Sequence, residues 1–165
     1  MIVSIRGELT KKMPDEIILI AAVTIDGYIS RHSHDRVDWS KDLHLFKKQT
    51  MGFPVIMGSN TRKTISTKME GREQIVITRH DNPKTILAGV KKHKCFIIGG
   101  GITNHRFINY ITHIYITPHP YIFGGGVPLF KGSLKNNELS IQFLNLVSVD
   151  VDKGIYQYQY KVIKK

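Results

Sequence analysis

Cysteine is nearly absent: the chain of 165 residues holds one, Cys95. A lone thiol excludes an internal disulfide framework and suits a reducing compartment. It sits inside an apolar run, where cysteine acts as a small hydrophobe. Long apolar runs are missing as well. None approaches the roughly 18 residues of a membrane span, and the N-terminus lacks a basic-then-apolar signal pattern. These absences predict a cytoplasmic protein with no membrane partner. Acids are scarce: 13 Asp and Glu face 24 Lys and Arg, for a net charge of +11. Such a balance suits an anionic ligand or nucleic acid. The lysines are scattered singly and in pairs, without interleaved aromatics, so nucleic acid is not expected. His32 and His34 have no third His, Cys or carboxylate cluster near them, so no metal site is expected. No repeat or low-complexity tract occurs, and the length fits one domain over 1–165.

What is present centres on Cys95-Phe96-Ile97-Ile98-Gly99-Gly100-Gly101-Ile102-Thr103. Four apolar residues are too few for a helix and fit a buried strand. The glycines that follow, opening a helix with Ile102 and Phe107, either cradle a phosphate on bare backbone N–H groups or form a tight turn with no ligand. Upstream, Glu16 to Val23 reads as a central strand. Ala21 and Ala22 at its end leave room for a flat ligand or for a closely packed helix. Trp39 to Thr50 reads as a helix with Ser40 as N-cap, Asp42 in the first turn, and Leu43 and Phe46 inward. On these residues alone, Asp42 either stabilises the helix dipole or performs chemistry.

Further strands are predicted at Phe53 to Met57, Gln74 to Thr78 and His113 to Thr117, the last stopped by Pro118 and Pro120. A helix begins near Thr61, and Thr85 to Lys94 allows only a short element. Leu139 to Val151 and Ile155 to Ile163 alternate across Asp152-Lys153-Gly154, a β-hairpin signal. Met1 to Asp15 reads as an extra edge strand or a loose arm. Strands alternating with helices, then a hairpin, predict a three-layer α/β sandwich with a mixed sheet.

The ordered motifs resemble the dihydrofolate reductase superfamily, which includes the dihydrofolate reductases and the riboflavin-pathway pyrimidine reductases. Ile20 to Ile29 resembles the family's first strand and active-site loop. Asp42 to Thr50 resembles the helix carrying the substrate carboxylate, and Val55 to Thr61 the strand and turn under the cofactor. Gly71-Arg72, Thr78-Arg79 and Ile97 to Gly101 follow in order, with the spacing from Asp42 through Thr61 to Arg72 matching.

The resemblance implies a dihydrofolate-reductase-like sheet and hydride transfer from NADPH to a pterin, dihydrofolate becoming tetrahydrofolate. It makes Asp42 the catalytic carboxyl. Ile20, Ala21, Leu43, Phe46, Ile98 and Thr117 would hold the substrate ring, and Arg72 a glutamate-tail carboxylate. The cofactor would lie on Ala22, Ile29, Gly58, Ser59, Asn60, Thr61, Thr78, Arg79, Gly99, Gly100, Gly101, Ile102 and Thr103, with Arg79 at the 2′-phosphate. Partners are small molecules, and a homodimer is compatible with the family. Some features depart from the reductase pattern. Ser59 stands where reductases carry arginine, 79–99 is shorter, and two residues fewer separate Trp39 from Asp42. Pro120 to Phe130 resembles the riboflavin-pathway enzymes. The alternative implied reaction is therefore reduction of a ribosylaminopyrimidine phosphate.

Overall fold

The computed structural model describes residues 12–65, 69–133 and 138–164. The elements in chain order are β1 (Glu16–Thr24), β2 (Tyr28–Ser30), α1 (Leu43–Thr50), β3 (Val55–Gly58), α2 (Ser59–Thr64), β4 (Gln74–Ile77) and α3 (Pro83–Ala88). Then follow β5 (Lys94–Ile97), α4 (Gly101–Arg106), β6 (His113–His119), β7 (Val127–Pro128), β8 (Ser140–Asp150) and β9 (Ile155–Ile163). A seven-stranded sheet runs in the order β4-β3-β5-β1-β6-β9-β8, and β2 pairs with β7 in a separate ribbon. Strands from β4 to β6 lie parallel; β9 runs antiparallel to both β6 and β8. The mixed sheet and C-terminal hairpin agree with the sequence expectation.

β1 is apolar from Ile17 to Val23 because both its faces are covered, as a central parallel strand requires. Its alternate residues feed two cores. Ile17 and Leu19 pack with Ile56, Leu87, Ile97 and Phe107, on the side of α3 and α4. Ile18 and Ile20 pack with Met57, Met69, Phe96 and Phe46, on the side of α1. Ile18 and Leu19 are wholly buried, each worth roughly 1.5–3 kcal/mol of apolar transfer. A one-residue slip would exchange the two layers, so the register is strongly fixed.

Several boundaries differ from the sequence reading. The first helix starts at Leu43, not Trp39, and Asp42 is its N-cap without a side-chain capping bond. Residues 39–41 are held instead by tertiary contacts: Trp39 packs edge-on against His119, Tyr121 and Phe123, and the Lys41 N–H donates to His119. β6 passes through Pro118 to His119. Proline is tolerated there because β9 pairs only as far as Ile116, so no ladder bond is lost on that side. Asn82 caps α3 by accepting from the N–H groups of Lys84 and Thr85. The ribbon of β2 and β7 was not foreseen, since each strand is short. The expected arm or edge strand at the N-terminus falls mostly in 1–11, outside the described residues. No helix among the described residues is long and apolar enough to cross a membrane.

Candidate active site

A cavity of about 880 Å³ opens where the C-terminal ends of β1, β3 and β5 meet α1, α2 and α4. Ligands of open parallel sheets sit at such strand ends. Its wall gathers residues that are far apart in the chain. β1 supplies Ile20, Ala21 and Ala22, β2 supplies Ile29, and the start of α1 supplies Asp42, Leu43 and Phe46. Gly58 to Thr61 come from the β3–α2 junction, Thr78 and Arg79 from the end of β4, and Ile98 to Thr103 from the β5–α4 junction. The alanines leave the space that larger side chains would fill.

Two expected residues stand outside the wall. Thr117 is wholly buried on β6, beside Asp42. Arg72 is buried behind Phe46, its guanidinium 5.9 Å from that ring and its Nη1 donating to Thr50 Oγ1 at 3.2 Å. Sequence reasoning missed Arg106 and Lys131, which join the wall near the glycines. Arg106 donates to the carbonyls of Thr78 and Asp81 and so fixes the segment carrying Arg79. The Lys131 N–H donates to Gly101 O at 3.0 Å. Neither has a local signature, because each acts on partners distant in sequence.

The two glycine turns form one cradle. The Gly58 N–H donates to Gly99 O at 2.9 Å, and a Cβ on Gly58 would lie 2.8 Å from Thr103 Oγ1. Gly99 has φ +113°, which only glycine adopts readily, and the Gly99–Gly100 peptide is cis. A Cβ on Gly100 would face Thr61 Oγ1 at 3.5 Å and otherwise project into open space. Neither α2 nor α4 has a side-chain cap, so their first N–H groups face this cradle unclaimed by side chains. Bare N–H groups, the Thr61 hydroxyl and nearby Arg79 suit a diphosphate.

The other end of the cavity holds Asp42, 6% exposed. It forms no ion pair among the described residues. Burial pushes its carboxyl above the ordinary aspartate range. An imidazolium at His119 would oppose this, and hydrogen bonding by Thr117 and Ser40 pulls the same way. The His119 ring, however, makes the bonds of a neutral imidazole, so burial prevails. The Thr117 hydroxyl lies beside the carboxylate yet completes no hydrogen bond of normal geometry. A buried carboxyl whose pKa is raised, with a hydroxyl beside it, is suited to general acid–base work.

Asp26 fastens two loops. It accepts from Thr24 Oγ1 and from the N–H groups of Phe123 and Gly124, which hold its carboxyl below the usual range.

Residues 16–127 match the family model described as dihydrofolate reductase. The chain belongs to the dihydrofolate reductase family. Curated relatives include a dihydrofolate reductase of Buchnera aphidicola, 31% identical over 53% of this chain and 63% of that protein. One from Bacillus subtilis is 29% identical over 51% of this chain and 57% of that protein. The chain spans less than two thirds of the length of these two relatives. Among solved structures, a dihydrofolate reductase of Enterococcus faecalis complexed with NADP(H) and RAB-propyl superposes with a TM-score of 0.73. It shares 18% identity, over 92% of this chain and 99% of that one. A putative riboflavin biosynthesis protein of Shewanella sp. PV-4 superposes at 0.58 with 21% identity, over 90% of this chain and 99% of that one. At these identities both solved structures show the fold.

Proposed function

We propose that this chain is a single-domain, cytoplasmic, NADPH-dependent reductase of dihydrofolate. One observation carries the reading: a single cavity has at one end a buried carboxyl with no ion pair among the described residues, and at the other a cradle of two glycine turns with Arg79. The residues fit the cofactor, since the space beyond Gly100 is of the kind that a pyrophosphate needs and Arg79 stands at the edge of the same wall. NADPH would supply the hydride. Ala21 and Ala22 leave a flat slot for the stacked rings, and Leu43, Phe46 and Ile98 keep water out of it. Asp42 would accept from the amino group and ring nitrogen of a pterin and hold a proton near the reduced bond. The Thr117 hydroxyl lies beside that carboxyl.

Mixing the protein with NADPH and dihydrofolate and following the loss of NADPH absorbance tests the reaction; no loss at any pH from 5 to 8 refutes it. The cofactor choice has its own test. Arg79→Ala should weaken NADPH by roughly 1–3 kcal/mol, the scale of a lost charged hydrogen bond. NADH should hardly change. Equal losses for both cofactors would remove Arg79 from the 2′-phosphate.

A second reading has one specific support: Pro120 to Phe130, whose strand β7 pairs with β2 at the cavity mouth, resembles the riboflavin-pathway enzymes. Turnover of a ribosylaminopyrimidine phosphate but not of dihydrofolate would select it.

A further inference from the structure

His119 is wholly buried at the end of β6, and both its ring nitrogens are engaged. Nε2 lies 2.9 Å from the Lys41 backbone nitrogen, which can only donate. Nδ1 lies 2.8 Å from Thr117 O, which can only accept. One form of the ring satisfies both, the neutral imidazole with its proton on Nδ1. The Trp39 ring packs edge-on at 5.2 Å and locks the imidazole plane.

The two anchors are the neighbours of the chemistry. Lys41 immediately precedes Asp42, and Thr117 adjoins its carboxylate. The Asp42 side chain makes no capping bond that could fix it to its own helix. Its position relative to β6 therefore depends on how the 39–41 segment is tied down. We infer that His119 is a positioning residue: its neutral imidazole staples the segment before α1 to β6 and thereby sets Asp42 against Thr117. An acceptor at Nε2 is the essential feature. A protonated ring would set N–H against N–H at Lys41 and lose the staple. The charged and titratable groups around the ring are Asp42 and Lys41 on the loop side. Glu138, Tyr156, Tyr158 and Tyr160 line, together with His119, a second cavity walled mainly by isoleucine, proline and tyrosine side chains. Among these groups, only Asp42 belongs to the proposed chemistry.

This inference rests on the reading of Asp42 as the proton-handling carboxyl, so the test has one readout independent of turnover. His119→Leu keeps apolar volume but leaves the Lys41 N–H without an acceptor. His119→Gln reaches equally far and offers an amide oxygen. In the ligand-free protein, hydrogen exchange at the Lys41 amide should be slow in the parent and in His119→Gln, and at least tenfold faster in His119→Leu. In turnover, His119→Leu should lose on the order of 10- to 100-fold in kcat, the cost of about 1 Å of misplacement. Its KM for NADPH should stay within about threefold, since the cradle lies at the other end of the cavity. His119→Gln should recover kcat to within about threefold of the parent.

A His119→Leu protein with parental kcat overturns the inference. So does a His119→Gln protein as slow as His119→Leu, because packing alone would then explain both. If His119→Leu fails to fold, His119→Gln decides. Slow Lys41 exchange with near-parental kcat supports the staple, and fast exchange with parental kcat refutes it. If the parent itself reduces no dihydrofolate, the proposed reaction fails while the exchange measurement still judges the staple.

Discussion

A buried carboxyl costs stability whenever it is charged, and Asp42 illustrates how a site holds such a cost. Its folded-state pKa is raised, chiefly by desolvation. The folded protein therefore binds more protons than the unfolded chain in the window above the ordinary value of 3.8. Stability from this group is fully present below that value and is lost as pH rises through the folded-state pKa. Asp42→Asn removes the charge and should raise the melting temperature at pH 7, with the gain closing toward pH 3.8. Thermal unfolding at several pH values checks this; a gain that persists unchanged in acid would contradict a raised pKa. The same variant presents an NH₂ group where the proposed pterin would also donate. Hydride transfer should fall at least roughly 10²-fold, with NADPH affinity changed only a few-fold. Near-parental turnover of dihydrofolate by Asp42→Asn would exclude the folate-type mechanism. A gain in stability with a loss in rate is the pattern of a site residue rather than of a helix cap.

The turns that begin α2 and α4 show what a sequence reveals of an element and what it hides. The strand–glycine–helix pattern at 95–107 was legible because apolar runs and glycines are local signals. So was the place of Ala21 and Ala22 at the end of β1, where they line the same cavity. The start of α1 was not legible, because Trp39 and Lys41 are withheld from the helix by His119, which lies 78 residues further along. The removal of Arg72 from the cavity wall was equally hidden, since its burial depends on Phe46 and Thr50. The individual glycines also need the structure to be told apart. A Cβ on Gly100 projects into the cavity, whereas one on Gly101 would lie 2.5 Å from the Pro128 carbonyl and 3.0 Å from the Lys131 side chain. Gly100→Ala should therefore keep its melting temperature within a few degrees and lose NADPH binding. Gly101→Ala should be destabilised by roughly 1–3 kcal/mol, the usual cost of overpacking. Calorimetric titration with NADPH, paired with thermal unfolding, separates the two. Normal NADPH binding by Gly100→Ala would reduce the triplet to a turn.

The whole molecule carries +11, and its cavity wall holds Arg36, Arg79, Arg106 and Lys131 against Asp35, Asp38 and Asp42. Arg79, Arg106 and Lys131 border the glycine cradle, while Asp42 stands at the opposite end. The proposed anionic cofactor would thus meet two fields, a general one from the surface and a local one from the wall. Salt separates them. The general field acts over distances that the Debye length cuts to about 10 Å at 0.1 M and about 3 Å at 1 M. Charge contacts inside a partly closed cavity are screened less. Raising salt should therefore slow NADPH association several-fold while affecting its dissociation little. The same rise should slow NADH association less, because NADH carries fewer charges. Arg79→Ala should keep most of the salt effect on association, since one charge of many is lost. It should nevertheless erase most of the preference for NADPH, which depends on the local contact. Stopped-flow binding of both cofactors across a salt series measures each quantity. If Arg79→Ala removed the salt effect together with the preference, the basic surface would play no part in capture and the local cluster would account for all of it.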